Sequence, residues 1–116
     1  MEPVEGLIPA DVFIAANGRK LFYAAQFIRH HKNKHYTPEP DIIHEVLGHA
    51  ASLGVKEVAD LSENLGKLVS KVCNECIRRL ARVYWYTLEF GCVEEENGIK
   101  TLGAGILSSF GELGQI

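Results

Sequence analysis

The chain has 116 residues, about one domain by length, enough to bury a modest core but too few for a second full domain. Apolar residues make up 47% and charged residues 23%, which points away from disorder and fibrous repeats. The formal charge of −3, with acidic and basic residues interspersed, offers no basic field to a phosphate backbone, so no nucleic-acid partner is expected.

The opening MEPVEG has neither the basic nor the apolar region of a secretory signal, and no apolar run approaches the roughly 20 residues that cross a bilayer. A cytoplasmic protein without a membrane partner is expected. Pro9 to Ala16 reads as a short helix opened by a proline and stopped near Asn17-Gly18, where glycine can take a positive φ. Lys20 to Arg29 fits neither the helical nor the strand period cleanly, and strand is the better reading. His30 to Tyr36 (HHKNKHY) is polar and aperiodic, a solvated loop whose histidines His30, His31 and His35 are not counted as ligands. Pro38 and Pro40 then impose an extended run before a helix that carries HEVLGH.

Val55 to Leu65 predicts a helix with Val55, Val58, Leu61 and Leu65 facing the core. From Lys67 a long helix is expected to run toward Glu89, with Leu68, Val72, Cys76, Leu80 and Val83 on one stripe. Cys73-Asn-Glu-Cys76 has metal or redox spacing, but no second CxxC or suitably spaced histidine pair completes a zinc site, and the two thiols are expected as small buried apolar residues. With Cys92 the cysteines number three, which does not fit a secreted disulfide framework. After Gly91, Cys92 to Glu94 and Ile99 to Leu102 flank an Asn97-Gly98 hairpin turn. Gly103, Gly105, Gly111 and Gly114 mark a loop-rich tail that a ligand could approach closely. The sum is a single α+β domain over residues 1–116, mainly helical, with a small β-ribbon.

Chemistry concentrates at His44-Glu45-Val46-Leu47-Gly48-His49. The zinc-protease motif HExxH sets two histidines four apart on one helix face, with the glutamate as base. Here the spacing is five, which on an ideal α-helix places the rings roughly 140° apart rather than about 40°. They can share a metal only if the helix distorts or ends between them, and Gly48 is where a break would be easiest. A zinc hydrolase with Glu45 as base is therefore disfavoured. A buried core histidine beside a solvated one is the other reading of the pair.

Tyr36 to His49 (YTPEPDIIHEVLGH) resembles the core signature of the pterin-dependent aromatic amino acid hydroxylases, most of all their phenylalanine branch. Arg79 to Gly91 (RLARVYWYTLEFG) and Gly103 to Leu113 (GAGILSSFGEL) resemble the two later signatures of that family, in order and at its separation. Gly6-Leu7-Ile8 with Phe13, and Gln26 to His30, resemble its pterin loop and the strand that follows, so the likeness runs from about Gly6 to Leu113.

The resemblance implies the core of the family's catalytic fold and an iron(II)- and tetrahydropterin-dependent monooxygenase, with tetrahydrobiopterin or a related pterin as cosubstrate. Dioxygen and an aromatic amino acid are the implied small-molecule partners, with L-phenylalanine to L-tyrosine as the expected reaction. His44, His49 and Glu89 would ligate iron, a two-histidine, one-carboxylate set that leaves the opposite face open. Glu45 would act beside the metal and the pterin. Gly6, Leu7, Ile8, Phe13, Ala81 and Tyr84 would line the pterin, and Arg29 would pair with the substrate carboxylate. Tyr36, Thr37, Pro40, Trp85, Gly105, Ser108 and Ser109 would form the rest of the substrate pocket. Two departures are visible: Ala10 stands where the family commonly has serine, and Ala50-Ala51-Ser52 follows the second histidine where a proline is usual. Family catalytic domains are also more than twice this long, so a truncated or minimal core is expected, with a catalytically impaired iron-binding module as the alternative. Oligomeric state is not legible.

Overall fold

In the computed structural model, which describes residues 1–116, Pro9 opens helix α1 (Ala10–Asn17). Its missing N–H costs nothing at a helix start, where no intrahelical partner exists. The left-handed residue that ends this segment is Lys20 (φ 59), not Gly18, which stays right-handed at φ −61. Gly18 serves a different purpose. Helix α1 crosses helix α2 (Lys56–Val69) so closely that a Cβ on Gly18 would lie 2.6 Å from the Gly66 carbonyl carbon, and one on Gly66 would lie 2.5 Å from the Ile14 carbonyl oxygen. Gly66→Ala is therefore expected to destabilise the fold by about 1–3 kcal/mol through overpacking. A urea midpoint that does not fall would show that the two backbones can part without cost.

The expected strand between Lys20 and Arg29 is confined to β2 (Tyr23–Ala25), which pairs in parallel with β1 (Glu2–Val4) across the α1 crossover. Three residues are too few to carry a period, which is why β1 goes unread in the sequence. Residues 31–33 form one 3₁₀ turn within the polar loop.

The long helix expected from Lys67 is two helices. Helix α2 runs through to Val69, the chain turns over residues 70–73, and helix α3 (Asn74–Tyr84) starts afresh before a π-helical turn, Trp85–Glu89. Lys71 N–H and Ser70 Oγ return to the carbonyls of Leu68 and Lys67, satisfying the end of α2 locally and giving the chain its stop. The expected stripe fails with the break: Leu68 and Val83 are exposed, as are Val55, just before α2, and Leu61 within it. The core is built instead from Ile14, Val58, Leu65, Val69, Tyr84 and Leu88, with Ile77, Leu80 and Ala81 packed against it. Cys73 is exposed and Cys76 half-buried, so neither is the buried apolar residue expected.

Strands β3 (Cys92–Glu95) and β4 (Gly98–Thr101) form the antiparallel ribbon, joined through Glu96-Asn97, with Gly98 at φ +104. The tail is not loop-rich: it folds into two short helices, α4 (Ala104–Leu107) and α5 (Phe110–Leu113). Leu102 and Gly103 both donate to the Gly91 carbonyl, which brings α4 back beside Glu89. The architecture is α+β and mainly helical, and no helix is long and apolar enough to cross a membrane.

Candidate metal centre and its cavity

The helix that carries HEVLGH neither ends nor breaks at Gly48. It widens into a π-helix over His44–Ala50, and the Ala51 N–H reaches five residues back to the Val46 carbonyl. A turn that closes over five residues puts i and i+5 on one face, so the spacing that an α-helix would scatter is brought together here. The second π-turn, Trp85–Glu89, closes in the same way, with Phe90 N–H on the Trp85 carbonyl at 2.9 Å, and delivers Glu89 opposite the histidines. Gly48 instead lets helix α4 approach, since a Cβ there would lie 2.8 Å from the Ala104 Cβ.

The His44 and His49 rings lie 4.8 Å apart at 80°. His49 Nε2 is 2.9 Å from Glu89 Oε1 and His44 Nε2 is 3.5 Å from Glu89 Oε2, and one potential ligand atom from each of the three residues falls within 4.8 Å of the others. Burial works to raise the Glu89 pKa, but its contact with His49 outweighs this and holds the carboxyl below the usual range. His44 is pushed down to about 4 by burial and by the charge of His49, so its imidazole is neutral at pH 7. Its tautomer follows from one hydroxyl. Ser108 Oγ spends its only proton on the Ala104 carbonyl at 2.7 Å, so at 2.9 Å from His44 Nδ1 it must accept. The proton then sits on Nδ1, and the Nε2 lone pair faces Glu89.

These groups open into a cavity of about 300 Å³. It is lined by every residue that the resemblance assigns to the site: the three potential ligands, Glu45, the six expected around a pterin, Gly6, Leu7, Ile8, Phe13, Ala81 and Tyr84, and the eight expected around a substrate, Arg29, Tyr36, Thr37, Pro40, Trp85, Gly105, Ser108 and Ser109. His30, His31 and His35 lie outside it, on the exposed loop. Val4, Tyr23, Ala25 and Phe90 also line the cavity and were not read from sequence. The first three sit on the short strand pair; Phe90 follows Glu89 directly and packs against Trp85 at 4.7 Å.

Glu45 is buried at the cavity wall, where its Oε1 accepts the Ala25 N–H at 3.2 Å. Burial raises its pKa, and that hydrogen bond works in the opposite direction. Arg29 is already engaged: Nε and one terminal nitrogen bind the two Asp41 oxygens at 2.8 and 2.7 Å, and the other terminal nitrogen donates to the Ser108 carbonyl at 2.9 Å. One N–H on each terminal nitrogen is left for anything further. Asp41, absent from the sequence reading, is fully buried and also accepts the backbone N–H groups of Arg29 and His44. The signal was present, as an Asp three residues ahead of His44 where a helix begins. Ser109 donates to the His35 carbonyl at 2.7 Å and caps α5, so its hydroxyl anchors the 31–36 loop.

Residues 1–115 match the family described as biopterin-dependent aromatic amino acid hydroxylase. A chloroplastic phenylalanine 4-monooxygenase from Pinus taeda is 47% identical over 113 residues, 97% of this chain but 32% of that protein. A tyrosine 3-monooxygenase from Caenorhabditis briggsae is 40% identical over the same share of this chain and 22% of its own length. Among solved structures, phenylalanine hydroxylase from Chromobacterium violaceum, with bound iron(III) and 7,8-dihydrobiopterin, superposes with a TM-score of 0.88 at 39% identity, covering 95% of this chain and 40% of that one. The chain thus spans a third or less of these two curated relatives. Sequence match, superposition and the cluster formed by the two π-turns agree, and the chain belongs to the biopterin-dependent aromatic amino acid hydroxylases.

Proposed function

We propose that residues 1–116 form the catalytic core of an iron(II)- and tetrahydropterin-dependent monooxygenase that converts L-phenylalanine to L-tyrosine. The observation that carries this reading is the His44, His49 and Glu89 cluster at the floor of a mostly apolar cavity. Two imidazoles and one carboxylate suit a ferrous ion, and a neutral His44 with its Nε2 free has the protonation state a ligand needs. With a tetrahydropterin alongside, iron held on one face supplies dioxygen activation.

The chain's own residues do the binding and orienting. Phe13 and Tyr84, whose rings meet edge-on at 5.6 Å, give the cavity flat apolar surface for a pterin, with Gly6 to Ile8 and Ala81. Trp85 and Pro40 present apolar surface on the substrate side, with Tyr36, Thr37 and Gly105. Arg29, held rigid by Asp41, offers its remaining N–H groups to a carboxylate. Ser108 acts through His44 by fixing its tautomer, and Ser109 through the loop it anchors. Glu45 places a carboxyl beside the cluster without joining it.

Ser108→Ala should weaken Fe(II) or Co(II) binding about 10- to 100-fold, the usual cost of losing a partner that orients a ligating histidine. Calorimetric titration of the metal-free protein measures it, and an unchanged affinity would remove Ser108 from that role. The activity itself is tested with anaerobically Fe(II)-loaded protein, a tetrahydropterin, oxygen and either L-phenylalanine or L-tyrosine. Tyrosine from phenylalanine, above a Glu89→Ala control, is the expected result. A dihydroxyphenylalanine product from tyrosine alone would reassign the substrate. Metal binding with neither product would favour the impaired iron-binding module, a reading supported by the exposure of Tyr36 and Trp85 at the cavity mouth, 53% and 52%.

A further inference from the structure

Cys73 and Cys76 lie at the opening of the 11-residue helix α3, outside the cavity and the core, and their sulfurs are 3.3 Å apart. Cys73 takes the N-cap position with extended backbone, φ −72 and ψ 163, and Cys76 follows in the first helical turn. Both can be reached from solvent. The one cluster of three potential ligand residues in the chain is His44, His49 and Glu89, so nothing here completes a tetrahedral metal site around the two thiols. We propose that Cys73 and Cys76 form a reversible dithiol–disulfide pair that exchanges with small-molecule disulfides.

The geometry divides the work between the two sulfurs. At the N-cap the Cys73 sulfur sits at the positive end of helix α3, near the first-turn N–H groups but without a capping hydrogen bond to them, and against the Cys76 thiol; this setting holds its pKa below the usual thiol value. The same contact with Cys73 pushes Cys76 up, so Cys76 keeps its proton. The neighbouring Glu75 carboxylate is paired with Arg78 and Arg79, which limits its repulsion of a thiolate. Cys73, the more exposed of the two and the one at the N-cap, is thus the attacking thiolate and Cys76 the resolving thiol.

In the first step the Cys73 thiolate attacks one sulfur of a small disulfide, forming a mixed disulfide and releasing one thiolate. Cys76, losing its proton to solvent, then attacks the Cys73 sulfur, closing the internal disulfide and releasing the second thiolate, which with the first takes up the two protons. The pair loses two electrons and two protons, and the small disulfide becomes two thiols. Closure needs the sulfurs to move from 3.3 Å to about 2.05 Å, a local adjustment at a helix end. The product would staple the first turn of the helix whose other end carries Ala81 and Tyr84 into the cavity.

The test uses the full chain carrying Cys92→Ser, so that the third, exposed thiol does not compete. The protein is equilibrated anaerobically with glutathione and glutathione disulfide at graded ratios, acid-quenched, and read by intact mass and peptide mapping. At oxidising ratios a monomer lighter by two hydrogens, with Cys73 linked to Cys76, is expected, and reducing ratios should restore the starting mass. Adding Cys76→Ser should trap one glutathione on Cys73, whereas adding Cys73→Ser should slow modification of the remaining thiol about 10-fold or more at neutral pH. Two glutathiones per chain without an internal disulfide, dimers linked through Cys73, or equal rates in the two single-thiol variants would overturn the proposal.

Discussion

Glu89→Ala is expected to abolish stoichiometric binding of Fe(II) or Co(II) and to reduce tyrosine formation to background. The variant removes the only carboxylate of the cluster and leaves two imidazoles to hold a dication. Losing even an outer partner of a ligand costs about 10- to 100-fold in metal affinity, so loss of the ligand itself should exceed 100-fold. Glu89→Gln keeps the volume and the helix packing but not the charge, and should bind almost as weakly. Titration with Co(II) reads the affinity directly, and far-UV circular dichroism checks that the fold survives. Full metal affinity in Glu89→Ala would place the metal elsewhere and remove the basis of the proposed function.

Asp41→Ala carries the largest expected loss of stability, about 3–5 kcal/mol, the range for stripping one partner from a buried ion pair. The Arg29 side chain is 6% exposed and Asp41 is sealed from solvent, so the guanidinium would stay buried without its counter-charge. The same change orphans the backbone N–H groups of Arg29 and His44, which loosens the start of the helix that holds both histidines. Chemical denaturation of the metal-free protein measures the loss, and a midpoint close to that of the parent chain would exclude Asp41 as a support. The pH dependence gives a second reading. Burial works to raise the Asp41 pKa, but Arg29 and the two N–H groups outweigh it, taking the carboxyl from an ordinary 3.8 down to about 2. Because the folded value lies below the unfolded one, this contribution is present above pH 3.8 and drains away as pH falls toward 2. The parent chain should lose stability more steeply across that window than Asp41→Ala does.

The cavity is legible in the sequence because many of the residues that line it stand in short uninterrupted strings, YTPEPDIIHEVLGH and YWYTLEFG, whose order along the chain survives folding. Structure that depends on distant partners is less legible. The break between α2 and α3 is closed by hydrogen bonds of Ser70 and Lys71 that helix periodicity does not report, and the burial pattern shifted with it. The parallel pair β1–β2 is held by register between residues about twenty apart, with too few residues on either strand to alternate visibly. In the sequence Gly18 and Gly48 offer the backbone freedom, whereas the fold uses both as absences of volume, one beneath α2 and the other beneath α4. Asp41 shows the same limit: an N-cap is legible locally, but its tie to Arg29 spans 12 residues.

The two π-turns have a consequence for any attempt to improve this protein. A helix that closes over five residues is an α-helix with one residue inserted, and each insertion gives up regular hydrogen bonding in order to aim a side chain. A search for higher melting temperature would gain by deleting a residue from His44–Ala50 or Trp85–Glu89 and restoring the regular ladder. Either deletion would turn one of the three clustered side chains, His44, His49 or Glu89, away from the others. Regularity and function are opposed at these two places, so a stabilised descendant that keeps its metal should draw its gains from α2, the ribbon and the outer face of α3, and carry both extra residues unchanged.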